Sequence, residues 1–403
     1  MKDTIILAYS GGLDTSVLIK WLQEKYKDDI ITVTMELGQQ IDLKKVEEKA
    51  HNLGVKKHYS IDAEEEFVLK HVFPAIKANA LYEGKYPIST ALGRPLIASK
   101  MVEIAEKEGA IAVAHGCTGK GNDQVRFDVT IKSLAPKLKV MAPVREWGLS
   151  REEEIKYAKE KGIPIPHLSD PYSIDQNLWG RSIECGCLEN PEQEPPEEIY
   201  EWTVSPEKAP DKPEYITIKF EDGIPCALNG ENLNPVALIE KVNKIAGKHG
   251  VGRIDHVEDR LVGIKSREIY ECPAALVLLE AHKDLEKLVL TRHELMFKQQ
   301  IDDKWTFLVY TGLWIDPLRE ALEAFINKTQ ERVCGEVKMK LYKGNAQVVG
   351  RSSPMSLYDK NLATYDVKTS FDQSYSEGFI ELWGLPTKVA NILKEKVKKE
   401  EKC

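Results

Sequence analysis

Thr4-Ile-Ile-Leu-Ala-Tyr-Ser-Gly-Gly-Leu-Asp-Thr-Ser16 decides the reading of this chain. Residues 4 to 10 form a continuous apolar run of strand length. Continuous rather than alternating apolarity marks a strand buried on both faces, as in a parallel sheet. Gly11 and Gly12 break the strand and let the backbone turn tightly against a ligand. A helix is expected from about Asp14 or Thr15, with Val17, Leu18, Trp21 and Leu22 at helical spacing. Its free N–H groups and dipole would face whatever sits at the turn, which suits phosphate. Ser10, Thr15 and Ser16 add hydroxyls, and Asp14 can hold Mg²⁺ or cap the helix.

Working outward, Ile30 to Met35 predicts a second strand and Asp42 to Leu53 an amphipathic helix closed by Gly54. Lys57 to Ile61 predicts a third strand, Leu96 to Lys107 a helix, and Ala110 to Ala114 another buried strand. Strands alternating with helices give an α/β class, with a largely parallel nucleotide-binding sheet over residues 1–166. The pattern breaks at Ile163-Pro-Ile-Pro166. Beyond it, an acidic turn-rich loop at 189–198 precedes mixed elements: a strand at Tyr215 to Phe220, a helix from Asn234-Pro235, and alternating stretches at Thr306 to Tyr310, Val333 to Leu341 and Ala346 to Val349. These predict an α+β domain over 167–370. A tail over 371–403 carries a basic helix from Pro386, with Val389, Ile392, Leu393 and Val397 near one face. A tail cannot bury such a stripe alone, so it is expected to dock on a neighbouring subunit.

Composition narrows the class. The 403 residues are 42% hydrophobic and 30% charged, as in a folded globular protein. A net charge of −8 disfavours general nucleic-acid binding, which needs clustered Lys and Arg. No apolar run is long enough for a membrane span, and Met1-Lys2-Asp3 enters a strand without a signal-peptide core, so a cytoplasmic protein is expected. The seven cysteines (117, 185, 187, 226, 272, 334 and 403) are odd in number and scattered, which fits free thiols in a reducing compartment. Cys185-Gly-Cys187 lacks the second pair that a zinc site would need.

A second loop, His115-Gly-Cys-Thr-Gly-Lys-Gly-Asn-Asp-Gln-Val-Arg126, leaves the strand ending at Ala114. Carboxyl ends of parallel strands are where such sheets bind ligands. Thr118, Asn122, Asp123 and Arg126 place donors, an acceptor and a fixed cation within a few residues. That set suits a zwitterionic amino acid, because Arg forks onto a carboxylate while Asp or Asn meets an ammonium. A polar surface loop is the plain alternative. No Gly-x-x-x-x-Gly-Lys-Ser/Thr or Gly-x-Gly-x-x-Gly follows the first strand, which disfavours a P-loop NTPase and a dinucleotide oxidoreductase.

The first loop resembles that of the ATP pyrophosphatase superfamily, Ser-Gly-Gly-x-Asp-Ser/Thr. Together with Thr90 to Pro95, Gly116 to Arg126, Asp175 to Ser182, Gly250 to Asp255 and Lys265 to Tyr270, the chain resembles the argininosuccinate synthase family over nearly its whole length. The resemblance implies ligation of citrulline and aspartate with ATP and Mg²⁺ through a citrullyl-adenylate, usually in a homotetramer. It implies ATP contacts from Ala8, Tyr9, Ser10, Gly11, Gly12, Leu13, Asp14, Thr15, Ser16, Met35 and Gly116. Aspartate would be held by Thr118, Asn122 and Asp123, and citrulline by Tyr86, Thr90, Ala91, Asn122, Arg126, Ser173, Ser182, Glu258 and Tyr270. Asp14, Asp123 and Arg126 would be the catalytic groups. Position 91 departs from the usual serine, so only a backbone contact can remain there. No protein metal site is implied beyond Asp14 near Mg²⁺, and no nucleic-acid or membrane partner.

Two other readings stay open at this point. A tRNA-thiolating enzyme would share the ATP loop, but would need a basic surface and sulfur-carrying cysteines. A nucleotide sensor would keep the fold without needing Asp123 and Arg126. His115, beside the second loop, reads as a packed histidine rather than a base.

Overall fold

The computed structural model describes residues 2–148, 151–165, 172–366 and 369–400. They fall into two units, Met1–Met355 and Ser356–Cys403. The expected boundary at 166/167 and Cys403 lie outside the described residues.

The first unit begins with a parallel sheet of β1 (Thr4–Ala8), β2 (Asp29–Glu36), β3 (Lys57–Asp62), β4 (Ala112–Ala114) and β5 (Lys139–Met141), in the order β3-β2-β1-β4-β5. The unbroken apolarity of β1 has its cause here. Ile5 and Leu7 face one apolar cluster and Ile6 the other, and all three are buried. Helix α1 (Leu13–Tyr26) covers the first face with Val17, Leu18, Ile19 and Leu22. On the second face Ile6, Ile31 and Val113 join one large cluster that also holds Leu238, Leu278 and Met339. Helix α2 (Leu43–Asn52) starts at its Asp42 cap as expected.

Two further helices shape the site. Helix α3 (Ser89–Glu108) starts well before the expected Leu96 and runs through Pro95, which puts Arg94 on a helix rather than in a loop. Helix α4 (Asp123–Leu134) follows the second loop.

Beyond the parallel sheet come two antiparallel sheets. The first joins β6 (Ser173–Asn177), β7 (Gly180–Glu184), β11 (Arg253–Asp259) and β12 (Lys265–Glu271) in the order β11-β12-β7-β6. The other holds β8 (Glu214–Glu221), β9 (Ile224–Leu228), β10 (Glu231–Asn232), β13 (Gly335–Tyr342) and β14 (Asn345–Ser352). Helices α5 (Pro235–Lys248), α6 (Pro273–Val289), α7 (Arg292–Tyr310) and α8 (Pro317–Gln330) accompany them.

Thr306 to Tyr310, expected as a strand, is instead the last turn of α7. The helix begins upstream at a capping box in which Thr291 and Glu294 satisfy each other's backbone N–H groups. Five residues are too few to separate the two periods.

The second unit carries α9 (Tyr375–Glu400). It starts before Pro386 and passes through it, whereas the sequence suggests a start at that proline. None of its described residues is buried, and Phe379, Ile380, Leu382 and Trp383 are exposed.

Candidate functional site

The strand order reverses between β1 and β4, and a cleft of about 760 Å³ opens at their carboxyl ends. Crevices of open α/β sheets sit at such switch points. The first loop forms one wall, with Ala8, Tyr9, Ser10, Gly12, Leu13, Asp14 and Thr15 lining the cleft. Gly11 has φ +78°, where an added Cβ would also press Val46 at 3.2 Å. Gly12 precedes α1 and offers no side chain, so the helix N-terminus faces the cleft uncapped.

Hydroxyls hold the loop's shape. Ser10 Oγ accepts the Gly12 N–H at 3.3 Å and lies 3.1 Å from Thr15 Oγ1, while Ser16 Oγ donates to the Gly12 carbonyl at 2.6 Å. Lys49 Nζ donates to the Gly11 carbonyl at 2.5 Å, bringing a cation under the turn. Val33, Thr34 and Met35 at the end of β2 continue the wall.

Gly116 faces α1 from the other side. A Cβ there would approach Leu18 Cδ1 at 3.2 Å and Thr15 Cγ2 at 3.5 Å. Beside it, buried His115 has its Nε2 2.8 Å from Asp128 Oδ1, and its Nδ1 accepts the Cys117 N–H at 3.2 Å. Both ring nitrogens are engaged, which agrees with a packed histidine.

A second group of residues gathers around the first turn of α4. Arg126 is 3% exposed. Its Nη1 donates to Asp123 Oδ1 at 2.8 Å, its Nε to the Tyr310 carbonyl at 3.0 Å, and its guanidinium sits 5.0 Å from the Tyr310 ring centre. Its Nη2 is buried and has no hydrogen-bond partner among the described residues. A buried guanidinium N–H left unpaired is costly, so this group is poised for an incoming acceptor.

Around it, Tyr310 O–H donates to Glu258 Oε1 at 2.6 Å and accepts from Asn122 Nδ2 at 2.8 Å. Tyr270 O–H donates to the other Glu258 oxygen at 2.7 Å. The Tyr270 ring stacks on Tyr86 at 4.1 Å. Tyr86 in turn bonds Thr90 Oγ1 at 2.7 Å and accepts its N–H at 3.0 Å. Burial raises the pKa of all three phenols, so they remain protonated.

Arg94 joins the two groups. Its Nε donates to Asp123 Oδ2 at 2.7 Å and its Nη2 to Asp175 Oδ2. Burial alone would raise Asp123, but Arg94 and Arg126 outweigh it and hold the carboxyl below its usual value. Asp175 moves the other way, raised by desolvation against the pull of Arg94 and helped by the Asp123 charge.

The remaining expected residues divide. Ser182 Oγ donates to the Asp175 carbonyl at 3.2 Å, and Ser173 lines the cleft from the exposed start of β6. Thr118 is exposed on the second loop. Ala91 is fully buried in the core, leaving no side chain toward the site. Cys117 is pushed up by burial, and Cys187 lies 3.3 Å from the Tyr172 hydroxyl. No cluster of three or more His, Cys, Asp or Glu able to hold a metal occurs among the described residues. Tyr310, Arg94 and Asp175 were not among the expected site residues. Arg94 and Asp175 stand inside segments that carried the resemblance, while Tyr310 was hidden by its strand assignment.

Comparisons with known proteins agree across the chain. Residues 4–164 match the family model described as Arginosuccinate synthase N-terminal HUP domain, and residues 172–390 match Arginosuccinate synthase C-terminal domain. The argininosuccinate synthase of Pyrococcus furiosus is 60% identical over 387 residues, covering 96% of this chain and 94% of its own. That of Dictyoglomus turgidum is 60% identical over 385 residues, covering 95% and 96%. Among solved structures, a U34-tRNA thiolase from Methanococcus maripaludis aligns over 43% of this chain and 61% of its own, with 16% identity and a TM-score of 0.28. That likeness is too weak to carry an argument.

Proposed function

Because the chain belongs to the argininosuccinate synthase family, we infer that its cleft and its buried Arg126 pocket are the two ends of one ligase site. The protein is an ATP-dependent ligase of arginine biosynthesis: ATP, citrulline and aspartate give argininosuccinate, AMP and pyrophosphate. In our reading, Ala8 to Ser16 and Gly116 hold the nucleotide phosphates at the α1 terminus, and the Met35 backbone meets the adenine. The uncapped helix end and the Lys49-braced turn support this.

Citrulline binds with its carboxylate on the unpaired Nη2 of Arg126, among Tyr86, Thr90, Asn122, Ser173, Ser182, Glu258 and Tyr270. At position 91 only the backbone remains available. That orphaned, buried nitrogen is the observation that carries the assignment. Thr118, Asn122 and Asp123 take aspartate. The ureido oxygen then attacks the α-phosphorus and pyrophosphate leaves; the aspartate amine next displaces AMP. Positioning and charge compensation do most of this work, with Asp14, Asp123 and Arg126 as its charged centres.

Magnesium takes most of its ligands from water and phosphate, so the single Asp14 beside a triphosphate fits it better than a protein cage would. When bound, the ion offsets charge on the departing pyrophosphate. We also assign residues 1–166 to nucleotide binding, 167–370 to synthesis and 371–403 to assembly. The exposed apolar residues of α9 support a homotetramer joined through that helix. No helix among the described residues is long and apolar enough to cross a membrane, and we place the enzyme in the cytoplasm.

The test is pyrophosphate release from purified protein with ATP and Mg²⁺, omitting each amino acid in turn. Sustained release is expected only with both amino acids, with AMP and argininosuccinate formed in step. Release that needs tRNA and a sulfur donor instead would overturn the substrate assignment.

A further inference from the structure

The aspartate amine must lose a proton before it can attack, because an ammonium has no lone pair. Most candidate bases in the site are already committed. Both Asp123 oxygens are held by Arg94 and Arg126, and both Glu258 oxygens accept tyrosine hydroxyls. His115 is engaged at both nitrogens. Cys117 is a neutral thiol, since burial raises it.

Asp175 differs. Its Oδ2 meets Arg94, whereas its Oδ1 accepts no hydrogen bond among the described residues, and its side chain is 37% exposed toward a cleft that it lines. It sits on β6 two residues from Ser173 and pairs across the ladder with Ser182, both citrulline positions in the reading above. Through Arg94 it is tied to Asp123 of the aspartate end. It therefore stands where nucleotide, citrulline and aspartate converge.

We propose that Asp175 is the general base of the second half-reaction, taking a proton from the aspartate ammonium. This rests on the ligase reading. One ammonium N–H bond breaks, its electron pair stays on nitrogen, and the proton goes to Asp175 Oδ1. That pair forms the new C–N bond to the ureido carbon of the neutral isourea adenylate. The C–O bond breaks, with its electrons leaving on the AMP phosphate. A second amine proton moves to the former ureido NH nitrogen, completing the guanidinium, and one proton is released overall.

The two carboxylates that share Arg94 then have separate roles. Asp123, lowered by its two arginines, is a fixed anion that binds; Asp175 is shifted upward, by desolvation and by the Asp123 charge against the pull of Arg94, which is the direction a base needs. The charged and titratable groups facing Asp175 are Arg94 on α3, Asp123 and Arg126 on α4, and Cys117 in the second loop.

Asp175→Asn separates the two half-reactions. Citrulline-dependent exchange of labelled pyrophosphate into ATP, without aspartate, reads the first half. Argininosuccinate formation reads the second. In Asp175→Asn the exchange should stay within a few-fold of the unsubstituted enzyme, while ligation at neutral pH falls by about 10²- to 10⁴-fold. That deficit should shrink as pH rises and free aspartate amine replaces the missing base. Asp175→Glu, which keeps a carboxyl, should recover part of the neutral-pH rate. Loss of both half-reactions, full retention of ligation, a deficit independent of pH, or an inert Asp175→Glu would each overturn the proposal. Failure of exchange in the unsubstituted enzyme would instead sink the adenylate reading on which it rests.

Discussion

Arg126 has its charge balanced on one side by Asp123 and its ring contact supplied by Tyr310, which leaves one nitrogen for a ligand. Tyr310 fixes this arrangement, because its hydroxyl links Asn122 to Glu258 while its carbonyl holds Arg126 Nε. Tyr310→Phe keeps the ring and the carbonyl but strands a Glu258 oxygen, a loss of about 1–3 kcal/mol. Steady-state kinetics should show the citrulline KM raised about tenfold, with the aspartate KM changed much less; an unchanged citrulline KM would count against the pocket assignment. Arg126 and Asp123 were legible in the sequence because they follow a glycine loop within a few positions. Tyr310 was not, since Asn122 lies 188 positions away and only the fold brings the two together.

Elements meet the site through buried polar ties as well as through the core. Asp128 on α4 receives His115 at the end of β4 and Arg145 beyond β5, fastening the helix beneath the second loop. Burial would raise this carboxyl, yet the bonds from His115 and Arg145 outweigh it and hold it at about 2, against 3.8 when free. A carboxyl lowered by folding stabilises the fold above its unfolded value, and that stability fades as pH falls from 3.8 toward about 2. With Asp128 partly open to solvent, its share at pH 7 is about 1–2 kcal/mol. Urea titrations should show Asp128→Asn less stable by that amount at pH 7, with the gap narrowing near pH 3; a constant gap would exclude this origin. At the same scale, β1 was legible because a strand buried on both faces has no polar alternation to confuse it. The tail helix was misjudged at its start because proline usually breaks a helix, and α9 carries Pro386 within it.

Over the whole molecule, the second unit has what the first lacks: a long helix whose apolar residues are all left in water. Phe379, Ile380, Leu382 and Trp383 are each more than half exposed. A patch of that kind marks an interface rather than a free surface. If the proposed homotetramer is joined through this helix, removing residues 371–403 should lower the mass of the particle in light scattering, while the melting of the first unit stays cooperative. A truncated protein that kept its full mass would move the assembly surface elsewhere.

The cluster behind the nucleotide sheet gathers Ile6, Ile31 and Val113 with Leu238, Leu278 and Met339, so one apolar mass underlies both the early and the late parts of the first unit. Heredity is constrained by that continuity. A lineage could not exchange its nucleotide loop and sheet for a cousin's by a single crossover in the connecting segment, because the incoming sheet would arrive with a back face shaped for a different neighbour. Descent would instead proceed by matched small changes on both sides of the shared surface.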